Sequence, residues 1–297
     1  MELCLGTVQF GMDYGVFNQP KKDMDYCVKC LDYATQNGIH AIDTATAYGI
    51  AEEVTGEFLK KRTVNRDTLF LSTKLLPNSL DDVKPSEYEK VIVENIEKSL
   101  KTLHTDYIDA YYFHSSRYIF NEEMMDALQV VKRKGLAKEV GVSIYYEDEA
   151  AAAMNNSNVQ YVQTPYSVFD HRMKNVGLFD ENKRGNLNVD TRTTFIKGLI
   201  RLQEEEVPEH LSKAKPILHK LDRICTETGF SRIELAIGYV KKEHGINHLV
   251  FGVRDLEQLT QDIAAFNRDI PEDILQKLDI EFNDIDTDIV VPSLWKR

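Results

Sequence analysis

Eight short apolar runs recur along the chain, at Leu3 to Thr7, Ile39 to Asp43, Thr68 to Lys74, Tyr107 to His114, Ala137 to Ser143, Val159 to Thr164, Leu187 to Phe195 and His248 to Val253. Their length and their content of β-branched and aromatic residues suit buried strands. Between them lie segments of helical spacing, for instance Val91, Ile92, Ile96, Leu100 and Leu103, or Met124, Met125, Leu128 and Val131. Alternating strand and helix predict parallel strands, because each helix must carry the chain back to the end where the next strand starts, by a right-handed crossover. Eight such units in 297 residues predict an α/β fold, a single (β/α)8 TIM barrel.

Helix-boundary residues support this register. Asp23 and Ser231 are placed as N-caps, with Glu234 completing a capping box, while Gly38, Gly135 and Gly245 stand where helices should stop. The interval from Lys197 to Asn247 holds two helical patterns, about 209–228 and 231–244, one more than the repeat needs. No low-complexity stretch or linker divides the chain, so residues 1–297 are expected to form one domain.

A formal net charge of −12 without a basic stripe argues against a nucleic-acid partner, since phosphate backbones are bound through clustered cations. No apolar run is long enough to span a bilayer, and the opening Met-Glu-Leu-Cys-Leu-Gly-Thr has neither a basic leader nor a cleavage site. A soluble cytoplasmic protein is the expectation. Cys27 and Cys30 form a Cys-x-x-Cys spacing, but inside a helix expected over about 23–37 and without a second close pair, so they read as small helix residues rather than a redox or metal site.

In a parallel barrel the side chains at the carboxyl ends of the strands line the active site. Asp43 ends the second run and Tyr48 lies in the loop after it; Lys74 ends the third and His114 the fourth. Each alone has an ordinary alternative: a cap, a packed ring, a solvated amine, a core histidine. Four at successive strand ends point to shared chemistry.

This set resembles the catalytic tetrad of the aldo-keto reductases, in the form of a short bacterial-type member. The resemblance spans nearly the whole chain. It rests on Asp-Thr-Ala-x-x-Tyr-Gly at 43–49 with Glu52 and Gly56 following, Ser-Thr-Lys at 72–74, and Ser-Leu-x-x-Leu-x-x-Asp-Tyr-Ile-Asp from Ser99 to Asp109 leading to His114. Gly-Val-Ser at 141–143, Gln163 and the stretch Gly252 to Asp262 complete it. It implies extra helices near 209–228 and 271–282, and reduction of an aldehyde or ketone, a sugar-derived one among the candidates, with Tyr48 as proton donor. An ammonium about 4 Å away is worth roughly 4 kcal/mol at an effective dielectric near 20, enough to lower a phenol of pKa ~10 by about 2 to 3 units. Lys74 is therefore expected to lower Tyr48, Asp43 to hold Lys74, and His114 to hydrogen-bond the carbonyl oxygen.

No Gly-x-Gly-x-x-Gly follows a strand, so there is no Rossmann fingerprint. The resemblance implies instead a nicotinamide dinucleotide laid across the barrel mouth: Ser143 and Gln163 on the carboxamide, Arg192 where a ring often stacks on the nicotinamide, Lys197 and Gly198 near the pyrophosphate. Gly252, Arg254, Gln258 and Asp262 would surround the adenosine end. Three positions depart from the family pattern: Ile144 replaces an Asn, Gly252 a lysine and Asp262 an Asn. Arg254 favours NADPH over NADH, with neighbouring Asp255 free to point away. Tyr14, Phe17, Arg117, Tyr145 and Trp295 are candidates for a pocket that takes the small-molecule carbonyl substrate. The competing reading is a regulatory subunit of the same fold that binds cofactor without turnover; a phosphate-handling barrel of another class would need a Gly-rich phosphate loop that is not evident. Substrate and oligomeric state stay open.

Overall fold

The computed structural model describes residues 1–16, 22–61 and 63–295. Eight strands, β1 (Glu2–Gly6), β2 (Ala41–Asp43), β3 (Phe70–Leu75), β4 (Ile108–Phe113), β5 (Ala137–Ser143), β6 (Tyr161–Pro165), β7 (Asn188–Arg192) and β8 (His248–Gly252), pair in sequence order and close into a barrel. Every pairing is parallel, β8 returning to β1 through Glu2 opposite His248 and Gly6 opposite Gly252. This is the expected (β/α)8 TIM barrel. β1 and β5 match their apolar runs in length, and the other strands are shorter for local reasons. β7 stops at Arg192 because Thr193 takes a left-handed φ of 68°, which no strand accommodates.

Side chains alternate across each strand, so two cores form. Leu3, Leu5, Ile42, Leu71, Val142, Val162 and Leu249 are buried in the large apolar layer between barrel and helices. Cys4, Ala41 and Val250, packed with Phe70, form a separate small apolar group. The ring of Phe70 lies 4.3 Å from that of His248 and 5.7 Å from that of Tyr161. Asp190 accepts from the Tyr112 hydroxyl at 2.8 Å and pairs with His248 Nδ1 at 2.7 Å, so these buried polar groups are satisfied by one another.

The helix caps follow their residues. Asp23 accepts from Tyr26 N at 2.7 Å, and Ser231 and Glu234 bond each other's backbone N–H at 3.2 and 2.7 Å. Gly245 differs from expectation. The helix before it, Arg232–Lys241, ends earlier, and a Cβ on Gly245 would lie 2.3 Å from the Phe179 carbonyl oxygen, so the glycine serves a close backbone approach rather than a cap. The expected helix at 209–228 divides into a 3-10 turn, Glu209–Ala214, and an α-helix, Lys215–Thr228, whose first turn contains Pro216, where a missing N–H costs nothing. The second extra helix runs Glu272–Glu281. No helix of the described residues is long and apolar enough to cross a membrane. Cys27 and Cys30 are buried in the helix Met24–Gln36, and burial pushes their thiols up to about 11 and about 12, which leaves little thiolate for redox or nucleophilic work.

Candidate active site

A cavity of about 380 Å³ is bordered by Asp43 at the end of β2, Tyr48 in the loop after it and His114 just past the end of β4. Register explains the convergence. Asp43 stands opposite Ser72, and Lys74, two residues further along β3 and so on the same face, stands opposite Tyr112 of β4. Ser72 Oγ donates to Asp43 Oδ1 at 2.8 Å, and Lys74 Nζ donates to both Asp43 oxygens at 2.7 Å and to the Thr44 carbonyl at 2.9 Å. Lys74 is fully buried and Asp43 nearly so, beneath rather than on the cavity wall in the case of Lys74.

Tyr48 is presented by a turn in which its N–H donates to Ala45 O at 2.9 Å and its carbonyl accepts from Ala51 N at 3.1 Å, at the start of the helix Ala51–Lys60. Gly49 follows with φ +59°, and Gly11, at the end of the short helix Val8–Gly11, lies so close that a Cβ on it would come 1.6 Å from the Tyr48 carbonyl oxygen. The two glycines let the first loop press against the tyrosine turn. Gly11→Ala is expected to push Tyr48 out of place and reduce turnover by about 100-fold, because displacements near 1 Å cost that much. Steady-state assay with circular dichroism as a folding control checks it.

The Tyr48 ring meets that of His114 edge-on, centroids 5.7 Å apart, and Lys74 Nζ lies 5.1 Å from the Tyr48 centroid. Here the electrostatics differ from the sequence-based expectation. The three Lys74 protons are taken by Asp43 and Thr44, and the Tyr48 phenol is raised, first by burial and then by the Asp43 carboxylate, with Arg192 opposing. Tyr48 is thus held firmly as the neutral phenol. His114 is driven down to about 3 by burial, with Lys74 and Arg192 adding to the effect, so its imidazole is neutral at pH 7. Its buried Nδ1 has no hydrogen-bond partner among the described residues.

Ser143, Gln163, Arg192, Lys197, Gly198, Gly252, Arg254 and Gln258 all border the same space. Gln163 Nε2 donates to Asp43 Oδ1 at 2.8 Å, while its Oε1 is buried and unpartnered, an acceptor suited to an amide N–H such as a carboxamide supplies. Arg192 donates to Ile144 O at 3.0 Å and Thr193 Oγ1 at 3.2 Å and covers the Tyr145 ring at 4.2 Å. The loop carrying Lys197 and Gly198 is left-handed at Ile196, Lys197 and Gly198, with φ of 47°, 54° and 94°, a strained arrangement for a β-branched residue. Lys197 Nζ lies over the rings of Tyr14, at 5.0 Å, and Trp295, at 6.0 Å.

Asp262 is placed otherwise. It is fully buried, off the cavity wall, and both its oxygens accept from Arg201 Nη2 at 2.6 and 2.7 Å. Burial nonetheless pushes its carboxyl up to about 6, Arg201 working against that. Arg201, which the sequence reading missed, borders the cavity in its stead; 61 residues separate the pair, so no local pattern reveals it. Gln9 was missed as well. It sits just after β1, with its Oε1 2.4 Å from where a Gly252 Cβ would be. Asp255 does not point away: it caps the helix Leu256–Phe266 through Gln258 N at 2.9 Å and meets Arg254 Nε at 3.3 Å. Of the substrate-pocket candidates, Tyr14 and Tyr145 border the cavity; Arg117 instead pairs with Asp81, Trp295 donates to Ile289 O at 3.1 Å, and Phe17 lies outside the described residues.

The sequence matches the aldo/keto reductase family over residues 2–281. Among curated relatives, an uncharacterized oxidoreductase of Bacillus subtilis, YqkF, is 26% identical over 254 residues, covering 80% of this chain and 81% of that one. The NADH-specific methylglyoxal reductase of Escherichia coli is 24% identical, covering 82% and 84%. Among solved structures, the holo form of the aldo-keto reductase AKR11C1 from Bacillus halodurans superposes with a TM-score of 0.73 at 23% identity, over 93% of this chain and 91% of that chain, a likeness of fold.

Proposed function

The chain belongs to the aldo/keto reductase family, whose activity is NAD(P)H-dependent oxidoreduction of carbonyl compounds, and we propose that it reduces an aldehyde or ketone to an alcohol with Tyr48 as proton donor. The observation that carries this reading is the Asp43–Lys74 pair buried beneath Tyr48 and His114 at one cavity. A nicotinamide cofactor, when bound, supplies the hydride. The chain's own groups do the rest. Neutral His114 offers a ring N–H to the carbonyl oxygen, and Tyr48, neutral until charge develops on that oxygen, delivers its phenolic proton there. The Lys74 ammonium, screened by Asp43, stabilises the phenolate left behind. Ser143 and Gln163 would hold the carboxamide, the unpartnered Gln163 Oε1 being the fitting acceptor. An assay of NADPH and NADH oxidation over a panel of carbonyls, sugar-derived ones included, tests the proposal; cofactor binding without turnover on any carbonyl would favour the regulatory reading.

Because His114 is driven down to about 3, lowering the pH from 8 to 5 does not charge it. The kcat/KM profile is therefore expected to lack a limb near the ordinary imidazole value of ~6.5. A limb there that disappears in His114→Gln would show that the ring titrates after all.

We assign NADPH as the preferred cofactor, with Arg254 reading the 2'-phosphate. Arg254 is exposed on the loop into the helix Leu256–Phe266, and Arg201 borders the same space. Asp255 competes for the Arg254 guanidinium, which argues for a modest preference. Arg254→Ala is expected to weaken NADPH about tenfold and leave NADH nearly unchanged, as measured by fluorescence titration. Equal losses would place Arg254 in loop support instead.

A further inference from the structure

The charges around the inner cavity do not cancel. Asp43 and Lys74 neutralise each other through two 2.7 Å contacts. Tyr48, Tyr14 and His114 are held neutral, each chiefly by burial. Arg192 remains. Its guanidinium hydrogens meet only neutral oxygens, Ile144 O and Thr193 Oγ1, its plane covers the Tyr145 ring at 4.2 Å, and it has no carboxylate partner among the described residues. It borders the cavity with Ser143 and Gln163, and its hydrogen bond to Ile144 O anchors it beside Ser143. Its field is felt at both Tyr48 and His114.

A nicotinamide ring that serves a carbonyl held by Tyr48 and His114 must lie in this inner part of the cavity. The oxidised ring is a cation and the reduced ring is neutral, whereas the phosphates and adenosine are identical in the two forms. Contacts from Lys197, Arg201 or Arg254 to the rest of the cofactor therefore affect both forms nearly alike, and it is a charge beside the ring that changes the difference between them. We infer that Arg192 is an uncompensated cation beside the ring pocket that makes this site bind the reduced cofactor more tightly than the oxidised one. The inference rests on the functional reading given above and adds which redox form of the cofactor the site holds more tightly.

The test is the ratio of dissociation constants for oxidised and reduced cofactor, with NADPH and NADH read by fluorescence titration and NADP⁺ and NAD⁺ by competition. In the wild type the reduced form is expected to bind more tightly by about tenfold or more. Arg192→Leu should lower the ratio by on the order of tenfold, by the same factor in the NADP and NAD pairs, and Arg192→Lys, which keeps the charge, should restore most of it. Equal wild-type affinities for the two forms overturn the inference whatever the variants do. So does a ratio unchanged in Arg192→Leu while both forms still bind, or a shift that Arg192→Lys reproduces in full. Failure of the wild type to bind any nicotinamide cofactor would overturn the functional reading and this inference with it.

Discussion

Tyr48→Phe is expected to reduce turnover by at least ~100-fold while leaving cofactor affinity within about twofold of wild type, because it deletes only the donated proton. The ring contacts survive the change: Phe retains the edge-on approach to His114 and the position over Lys74 Nζ. Loss in kcat without loss in binding separates a proton donor from a wall of the pocket. Stopped-flow or steady-state oxidation of NADPH with a reactive aldehyde measures it. A variant that kept more than about a tenth of wild-type turnover would send the search to another acid, and among the described residues Tyr14, which borders the same cavity, would be the first to examine.

Lys74→Met should be the most damaging substitution for stability as well as activity. Lys74 is fully buried, and among the described residues its removal leaves the Asp43 carboxylate with donors only from Ser72 Oγ and Gln163 Nε2, each at 2.8 Å, and takes from the Thr44 carbonyl the Lys74 donor at 2.9 Å. Breaking a buried ion pair from one side costs about 3 to 5 kcal/mol, since the remaining charge stays desolvated and uncompensated. Urea denaturation should show a lower midpoint at unchanged slope. The double variant Lys74→Met with Asp43→Asn removes both charges and is expected to recover much of the stability and none of the activity. If the double variant were as unstable as the single one, the loss would lie in packing around Lys74 rather than in the stranded carboxylate.

The alternation of apolar runs and helical patterns was enough to imply the barrel, because each strand is buried on both faces and each helix on one, and those periodicities are written locally. Asp43, Tyr48, Lys74 and His114 were legible for a related reason: in a closed parallel barrel every strand's carboxyl end opens on the same mouth, so position along a strand fixes position in the site. Chain ends of strands and helices were read less well where one left-handed residue, such as Thr193, or one close backbone approach, such as that at Gly245, decides the boundary.

What the sequence by itself determined, then, was that Asp43, Tyr48, Lys74 and His114 gather at strand ends on one side of the barrel. Only the tertiary structure decided how their charges are shared. Sequence spacing gave no hint that Arg201 and Asp262 pair across 61 residues, that Asp255 turns back on Arg254, or that Gln163 reaches Asp43 across 120. Those pairings depend on which side chains burial forces together, and an ion pair or a depressed imidazole is a property of that shared, water-poor surrounding rather than of either residue. For the same reason the Tyr48 phenol, expected to be lowered by Lys74, is raised by burial while Lys74 is held by Asp43 and Thr44, and Arg192 meets no carboxylate among the described residues.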